Sequence, residues 1–223
     1  MSAPPPGRAA PRPRSLRWWA LSALFLLAFA LLAARVAQRV PFPWDVPVML
    51  FIHAHSRPWL DAVVLVITDT GGGFTAVGFL ALLYWLHRRG ERRWMGAAAV
   101  AFLGAVSLNP LLKQVFARPR PEAFPHMMAV HTYSFPSGHT VAATALYGFL
   151  ALTLWRVGKK PWALLAALWV LLVAFSRVYL GVHYPSDVLG GLAFGSAWLL
   201  AVWGGGVRWA ERRPVVPANR EIS

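Results

Sequence analysis

Cysteine is absent from the 223-residue chain, which excludes disulfide staples, thiolate metal sites and a cysteine nucleophile. Acid is scarce too: eight Asp and Glu stand against 22 Lys and Arg, for a formal charge of +14. Charged residues of both signs make up only 13% of the chain, where a soluble domain carries about a quarter. Hydrophobic residues make up 57%. One soluble core cannot hide that much apolar surface, so lipid must act as part of the solvent. The basic residues lie in short runs between apolar segments. That pattern fits anionic lipid headgroups and argues against nucleic acid as a partner.

Six uncharged apolar stretches are present, at 18–34, 70–86, 94–112, 140–155, 161–176 and 188–207. A helix needs about 20 residues to cross the hydrocarbon. Two stretches are slightly short, so their ends should extend into flanking residues at the membrane surface. A cleaved secretory signal is the competing reading of 18–34, but the run is long for a signal core and a retained span is expected. The predicted fold is all-α: an integral membrane bundle of six transmembrane helices, with short surface helices between the first and second spans. Residues 1–17 read as a disordered basic tail, 18–207 as the membrane domain and 208–223 as a cytoplasmic tail.

Four basic sets fall on one side of such a bundle. They are Arg8, Arg12, Arg14 and Arg17; Arg88, Arg89, Arg92 and Arg93; Arg156, Lys159 and Lys160; and Arg208, Arg212 and Arg213. That side should be the cytoplasm, with both termini inside. Trp18, Trp19, Trp85, Trp94, Trp155, Trp162 and Trp209 flank the same ends, as an interfacial aromatic belt does. Segment 36–69 then lies outside. Its prolines, Arg57 and Asp61 argue against a full crossing and for short helices on the outer surface.

The basic residues on the other side are the informative ones. Lys113, Arg118 and Arg120 cluster past the third span, and Arg177 ends the fifth. Arg118 reads equally well as an interfacial residue whose stem lets its tip reach water. The others sit in three short blocks: Lys113 to Pro121, Phe135 to His139 and Ser176 to Asp187. Together these supply three cations, two imidazoles, one carboxylate and a helix start, an inventory suited to a phosphoryl group. Arg matches phosphate oxygens bidentately and Lys adds a point charge. Ser137 is placed to cap the helix that follows, and Gly138 lets the backbone approach an anion. His139, on the first turn, is placed to give a proton to a leaving oxygen.

His183 and Asp187 are four apart, hence on one face if the segment is helical. Pro185 suits a helix's first turn. An Asp beside a His fixes its tautomer and stabilises its charged form, freeing the other nitrogen to attack phosphorus. His139, His183 and Asp187 could instead hold a divalent metal, a reading that the three neighbouring cations oppose. His53, His55, His126 and His131 read as ordinary polar surface residues.

The three blocks resemble the signature of the type 2 phosphatidic acid phosphatase family, which shares its site with acid phosphatases and vanadium haloperoxidases. The family pattern is Lys, six residues, Arg-Pro; then Pro-Ser-Gly-His; then Ser-Arg, five residues, His, three residues, Asp. Lys113 to Pro121, Pro136 to His139 and Ser176 to Asp187 match it without a gap. The resemblance implies that His183 forms a phosphohistidine, Asp187 orients it and His139 protonates the leaving group. It further implies that Lys113, Arg120, Arg177, Ser137 and Gly138 hold the phosphoryl oxygens, with no metal or other cofactor. The implied substrate is a lipid phosphate at the outer face: undecaprenyl pyrophosphate first, or phosphatidylglycerol phosphate or phosphatidic acid. A phosphotransferase with the same site and a non-enzymatic lipid-phosphate binder or transporter are the alternatives. Oligomeric state has no sequence signal.

Overall fold

The structure, a computed structural model, describes residues 15–211. Most of the tails read over 1–17 and 208–223 therefore lie outside the described residues. Among the described residues every regular element is helical. Helix α1 (Ser15–Ala37) starts ahead of the expected Trp18 boundary. Two short helices follow, α2 (Asp45–Ala54) and α3 (Pro58–Asp69), then α4 (Thr75–Arg88) and the long α5 (Arg92–Phe116). Next come α6 (Gly138–Ala143), a π turn (Thr144–Gly148) and α7 (Phe149–Arg156) in unbroken succession. Helices α8 (Lys160–Tyr179) and α9 (Pro185–Glu211) close the chain.

Four helices are long and apolar enough to cross a membrane: α1, α5, α8 and α9. The expected count of six is not reached by length alone. Helix α4 has 14 residues, roughly 21 Å at 1.5 Å per residue, against a hydrocarbon core of about 30 Å. The 138–156 run covers roughly 28 Å, but its middle is wound as a π turn. There the Thr144 hydroxyl donates to the Thr140 carbonyl at 2.8 Å, a side-chain bond that loosens the regular ladder. Segment 36–69 does form short helices, α2 and α3, with Pro58 on the first turn of α3, where its missing N–H costs nothing.

The outward faces are oily. On α1, Leu24, Leu27 and Leu31 are each more than half exposed, and their spacing puts them on one face. Leu164, Leu168 and Leu171 repeat the pattern on α8, and Leu103, Leu111 and Val115 are exposed on α5. Apolar stripes of this length are unstable against water and stable against acyl chains.

The inward packing gives the bundle two distinct ends. Helix α1 runs along α9, and α6 lies between α5, α8 and α9. At one end the Ser15 hydroxyl donates to Glu211 at 3.2 Å. Trp94 packs on Trp203 at 4.3 Å, Trp18 meets Trp203 edge-on, and Arg156 sits over Trp94 at 4.8 Å while pairing with Glu91. The Arg- and Trp-rich helix ends thus gather there. The opposite end holds the C-terminal turns of α5 and α8 and the first turns of α6 and α9, where all three sequence blocks lie.

Candidate active site

Lys113 reaches this end from the last turn of α5. The helix stops at Ala117, whose left-handed backbone (φ 42°) turns the chain toward Pro119 and Pro121. The loop that follows folds back across the bundle end. The Ser134 N–H donates to the Arg118 carbonyl at 2.9 Å and the Ser134 hydroxyl to that of Pro119 at 3.0 Å. Farther along, the Met127 N–H donates to Leu180 at 3.1 Å. The loop thereby roofs a cavity of about 930 Å³.

Lys113, Arg120, Gly138, His139, Arg177 and His183 all line that cavity. Six of the eight predicted residues, from three distant stretches, therefore share one space. Ser137 and Asp187 lie behind it and are fully buried. Arg120 is held like a clamp. Its Nε donates to the Thr132 carbonyl at 2.7 Å, Nη1 to the Val182 carbonyl at 2.6 Å and Nη2 to the Thr132 hydroxyl at 3.2 Å. Nη1 also stands 3.3 Å from His183 Nε2. Lys113 donates to the Tyr133 carbonyl. Arg177 donates to the Thr68 hydroxyl and lies 3.2 Å from Met128 Sδ, with its Nε unpartnered.

His183 differs from expectation in one respect. It precedes α9, which starts at Pro185, so it shares no helical face with Asp187. The bend of the chain brings them near instead, with Nδ1 3.4 Å from Asp187 Oδ2 and making no hydrogen bond at that separation. Burial pushes the His183 imidazole well below its ordinary value near 6.5. The positive charges of Arg177, Arg120 and Lys113 push the same way, and the Ser134 backbone opposes them. The ring is therefore neutral at neutral pH, with Nε2 facing Arg120 Nη1.

Ser137 also departs from expectation. It holds the cap position before α6, but its side chain makes no capping bond. Its hydroxyl accepts from Thr140 at 3.0 Å, and its N–H donates to the Asp187 carbonyl at 3.1 Å, tying the second block to the third. Gly138 fits the close-approach argument: a Cβ there would stand 2.9 Å from Asn109 Oδ1. Arg118 is no snorkelling residue. Its Nη1 meets Asp187 Oδ1 at 2.5 Å and its Nη2 meets Asp45 Oδ2 at 2.9 Å.

Several partners were not foreseen. Asn109 donates to the Pro136 carbonyl at 3.3 Å and braces the second block. Thr68 holds Arg177, and Gly72 lies against His139, where an added Cβ would stand 2.6 Å from Nε2. The turn carrying Gly72 is pinned by Tyr147 donating to the Thr70 carbonyl at 2.8 Å and Trp169 donating to the Thr70 hydroxyl at 2.9 Å. Asp45 carried a signal that could have found it, as one of eight acids in an apolar chain. Asn109 and Gly72 carried none. Of the four histidines read as ordinary surface residues, His131 lines the cavity, His53 stacks on Phe124, and His55 and His126 pair with backbone carbonyls. Among the described residues no three His, Cys, Asp or Glu side chains group as metal ligands.

Known proteins resemble this chain over most of its length. The model of a family described as the PAP2 superfamily matches residues 94–209. Phosphatidylglycerophosphatase B of Bacillus subtilis is 33% identical over 183 residues, 77% of this chain and 87% of that protein. An undecaprenyl-diphosphatase of Sulfolobus acidocaldarius is 27% identical over 195 residues, 85% of this chain and 88% of that one. The crystal structure of a transmembrane PAP2 type phosphatidylglycerolphosphate phosphatase from Bacillus subtilis superposes with a TM-score of 0.75 at 28% identity. That match covers 87% of this chain and 98% of the other.

Proposed function

Because the chain belongs to the PAP2 superfamily and is a multi-pass membrane phosphatase, we propose that it hydrolyses a lipid-linked phosphate or diphosphate through a phosphohistidine on His183. One observation carries the reading. His183 lines the cavity with Nε2 3.3 Å from Arg120 Nη1 and Nδ1 3.4 Å from Asp187 Oδ2. A phosphate held by Lys113, Arg120 and Arg177 meets a neutral nitrogen.

In the first half-reaction the Nε2 lone pair attacks phosphorus and the bond to the leaving oxygen breaks. That oxygen takes a proton from His139, whose ring enters the step as the imidazolium beside the bound anion. The charged ring, still protonated on Nδ1, faces the Asp187 carboxylate. In the second half-reaction water attacks the phosphohistidine, His139 takes the water's proton back, and the P–N bond breaks. Inorganic phosphate leaves with both rings restored. The three cations neutralise the charge that builds on the equatorial oxygens.

The bundle is read as six crossings, with α4 and the 138–156 run as the two short ones. The Arg- and Trp-rich end faces the cytoplasm, together with both termini, and the cavity faces the outer side. A site at that depth takes a substrate whose tail stays in the bilayer. Recycling of a polyprenyl diphosphate carrier is the first choice, with phosphatidylglycerol phosphate and phosphatidic acid as the glycerolipid candidates. Similarity to both an undecaprenyl-diphosphatase and a phosphatidylglycerophosphatase supports that panel.

The test is phosphate release from all three lipids by purified protein in detergent, with a chelator present. The expected result is activity in the wild type and none in a folded His183→Ala variant. Full activity in that variant removes the assigned nucleophile, and a requirement for added magnesium reinstates a metal.

A further inference from the structure

So far the segment between the first two spans only braces Arg177 through Thr68, yet it also sends an acid in behind the site. Asp45 is the first residue of α2 and is 2% exposed. Its Oδ2 accepts from Arg118 Nη2 at 2.9 Å and from the Ser186 hydroxyl. Its Oδ1 accepts the Ser186 N–H at 2.9 Å. Ser186 is on the first turn of α9, where backbone N–H groups have no partner within the helix. Asp45 therefore caps α9 from another element, one residue away from Asp187.

Arg118 joins the two acids. Its Nη1 donates to Asp187 Oδ1 at 2.5 Å and to Ser186 Oγ at 2.8 Å, and its guanidinium lies over the Tyr184 ring at 4.2 Å. Asp187 Oδ2 is left to the Tyr184 N–H at 2.9 Å and to His183. All three charged groups are shielded: side-chain exposure is 14% for Arg118, 3% for Asp45 and 0% for Asp187. Ion pairs in such surroundings act far more strongly than in water.

Arg118 alone would cancel Asp187 and leave nothing to balance a charged His183. With Asp45 included, two carboxylates share one guanidinium and the cluster keeps one net negative charge. A phosphorylated imidazole that retains its Nδ1 proton has a ring charge of +1. We propose that Asp45 and Arg118 are positioning residues for the reaction at His183. They fix the Asp187 carboxylate against α9, and Asp45 restores the negative charge that Arg118 would otherwise remove. Segment 36–69 thereby has a task in the chemistry. The inference rests on His183 being the nucleophile.

The test compares Asp45→Asn, Asp45→Glu and His183→Ala as full-length proteins in detergent, on whichever lipid of the panel is hydrolysed. Asp45→Asn keeps the shape and removes the charge. The expected result is a fall in kcat of about 10- to 100-fold, the scale of a small misplacement in a catalytic array. KM should stay within about twofold, because Asp45 touches no substrate. Asp45→Glu should recover part of the loss. Wild-type kcat in Asp45→Asn overturns the proposal, and so does a loss that falls only on KM. If Asp45→Asn does not fold, Ser186→Ala decides, since it removes the bridging hydroxyl and keeps all three charges. A folded Ser186→Ala variant with kcat several-fold down supports the positioning of Asp187 by this network, whereas unchanged kcat overturns that positioning. Loss of fold in both variants assigns the cluster to stability alone and also overturns it. An active His183→Ala would instead defeat the nucleophile reading, whatever Asp45 does.

Discussion

Asp187 Oδ2 accepts the Tyr184 N–H at 2.9 Å and stands 3.4 Å from His183 Nδ1. The carboxylate is thus fixed by backbone and by Arg118 before it meets the imidazole. A neutral ring tolerates that gap, because its environment opposes protonation. A ring that gains charge on phosphorylation is drawn toward the carboxylate.

Asp187→Asn should therefore cost far more in turnover than in binding. Loss of an orienting Asp beside a catalytic His lowers kcat by up to about 10⁴-fold in well-studied triads. The expected result is a kcat reduced by about 10³-fold with KM little changed, read from initial rates. Accumulation of acid-labile phosphoenzyme should fall in parallel.

The buried state of His183 sets a pH dependence of stability. Its folded pKa lies below the ordinary value near 6.5. As pH falls through about 6.5 the unfolded chain takes up a proton that the folded chain refuses. The stabilisation present above pH 6.5 is lost progressively below it, down to the folded pKa. Unfolding temperature in detergent should fall between pH 7.5 and 5, and fall less in His183→Gln. Equal slopes for the two proteins would refute the assigned environment.

Gly72→Ala tests how tightly His139 is placed. An added Cβ would stand 2.6 Å from His139 Nε2, so the ring or the turn must move. A shift near 1 Å costs up to about 100-fold. Turnover should drop by roughly 10- to 100-fold, with little change in unfolding temperature. Wild-type kcat would mean that the ring swings freely.

Arg120→Lys should behave as a severe change. The guanidinium makes three hydrogen bonds to Thr132 and Val182 while facing His183, and an ammonium cannot span those directions. The expected outcome is a loss of about 100-fold in kcat/KM, together with weaker product inhibition by inorganic phosphate. Comparing Ki for phosphate in the two proteins checks it.

The motif residues were legible because each is an anomaly in an apolar chain: cations and imidazoles on the side of the bundle where basic residues are rare. Their convergence followed from span counting. The cap role of Ser137 was misread because side-chain capping is a local rule, and here Thr140 and the Asp187 backbone compete for the same residue. The helical pairing of His183 with Asp187 failed because Pro185 starts the helix two residues too late. Arg118 was ambiguous because its meaning depends on Asp45, far away in sequence and unmarked by any motif. Gly72 and Asn109 matter only through what touches them, and periodicity does not report contacts.

The pairing of α1 with α9 has a consequence for biogenesis. The helix that leaves the ribosome early lies along the one that leaves late, and Phe29 of α1 stacks at 5.8 Å on Phe135, beside Ser137. Asp187 also arrives on that late helix. An unfinished chain consequently lacks both a closed bundle and the carboxylate beside His183, so on the proposed mechanism a truncated translation product should not hydrolyse a lipid phosphate.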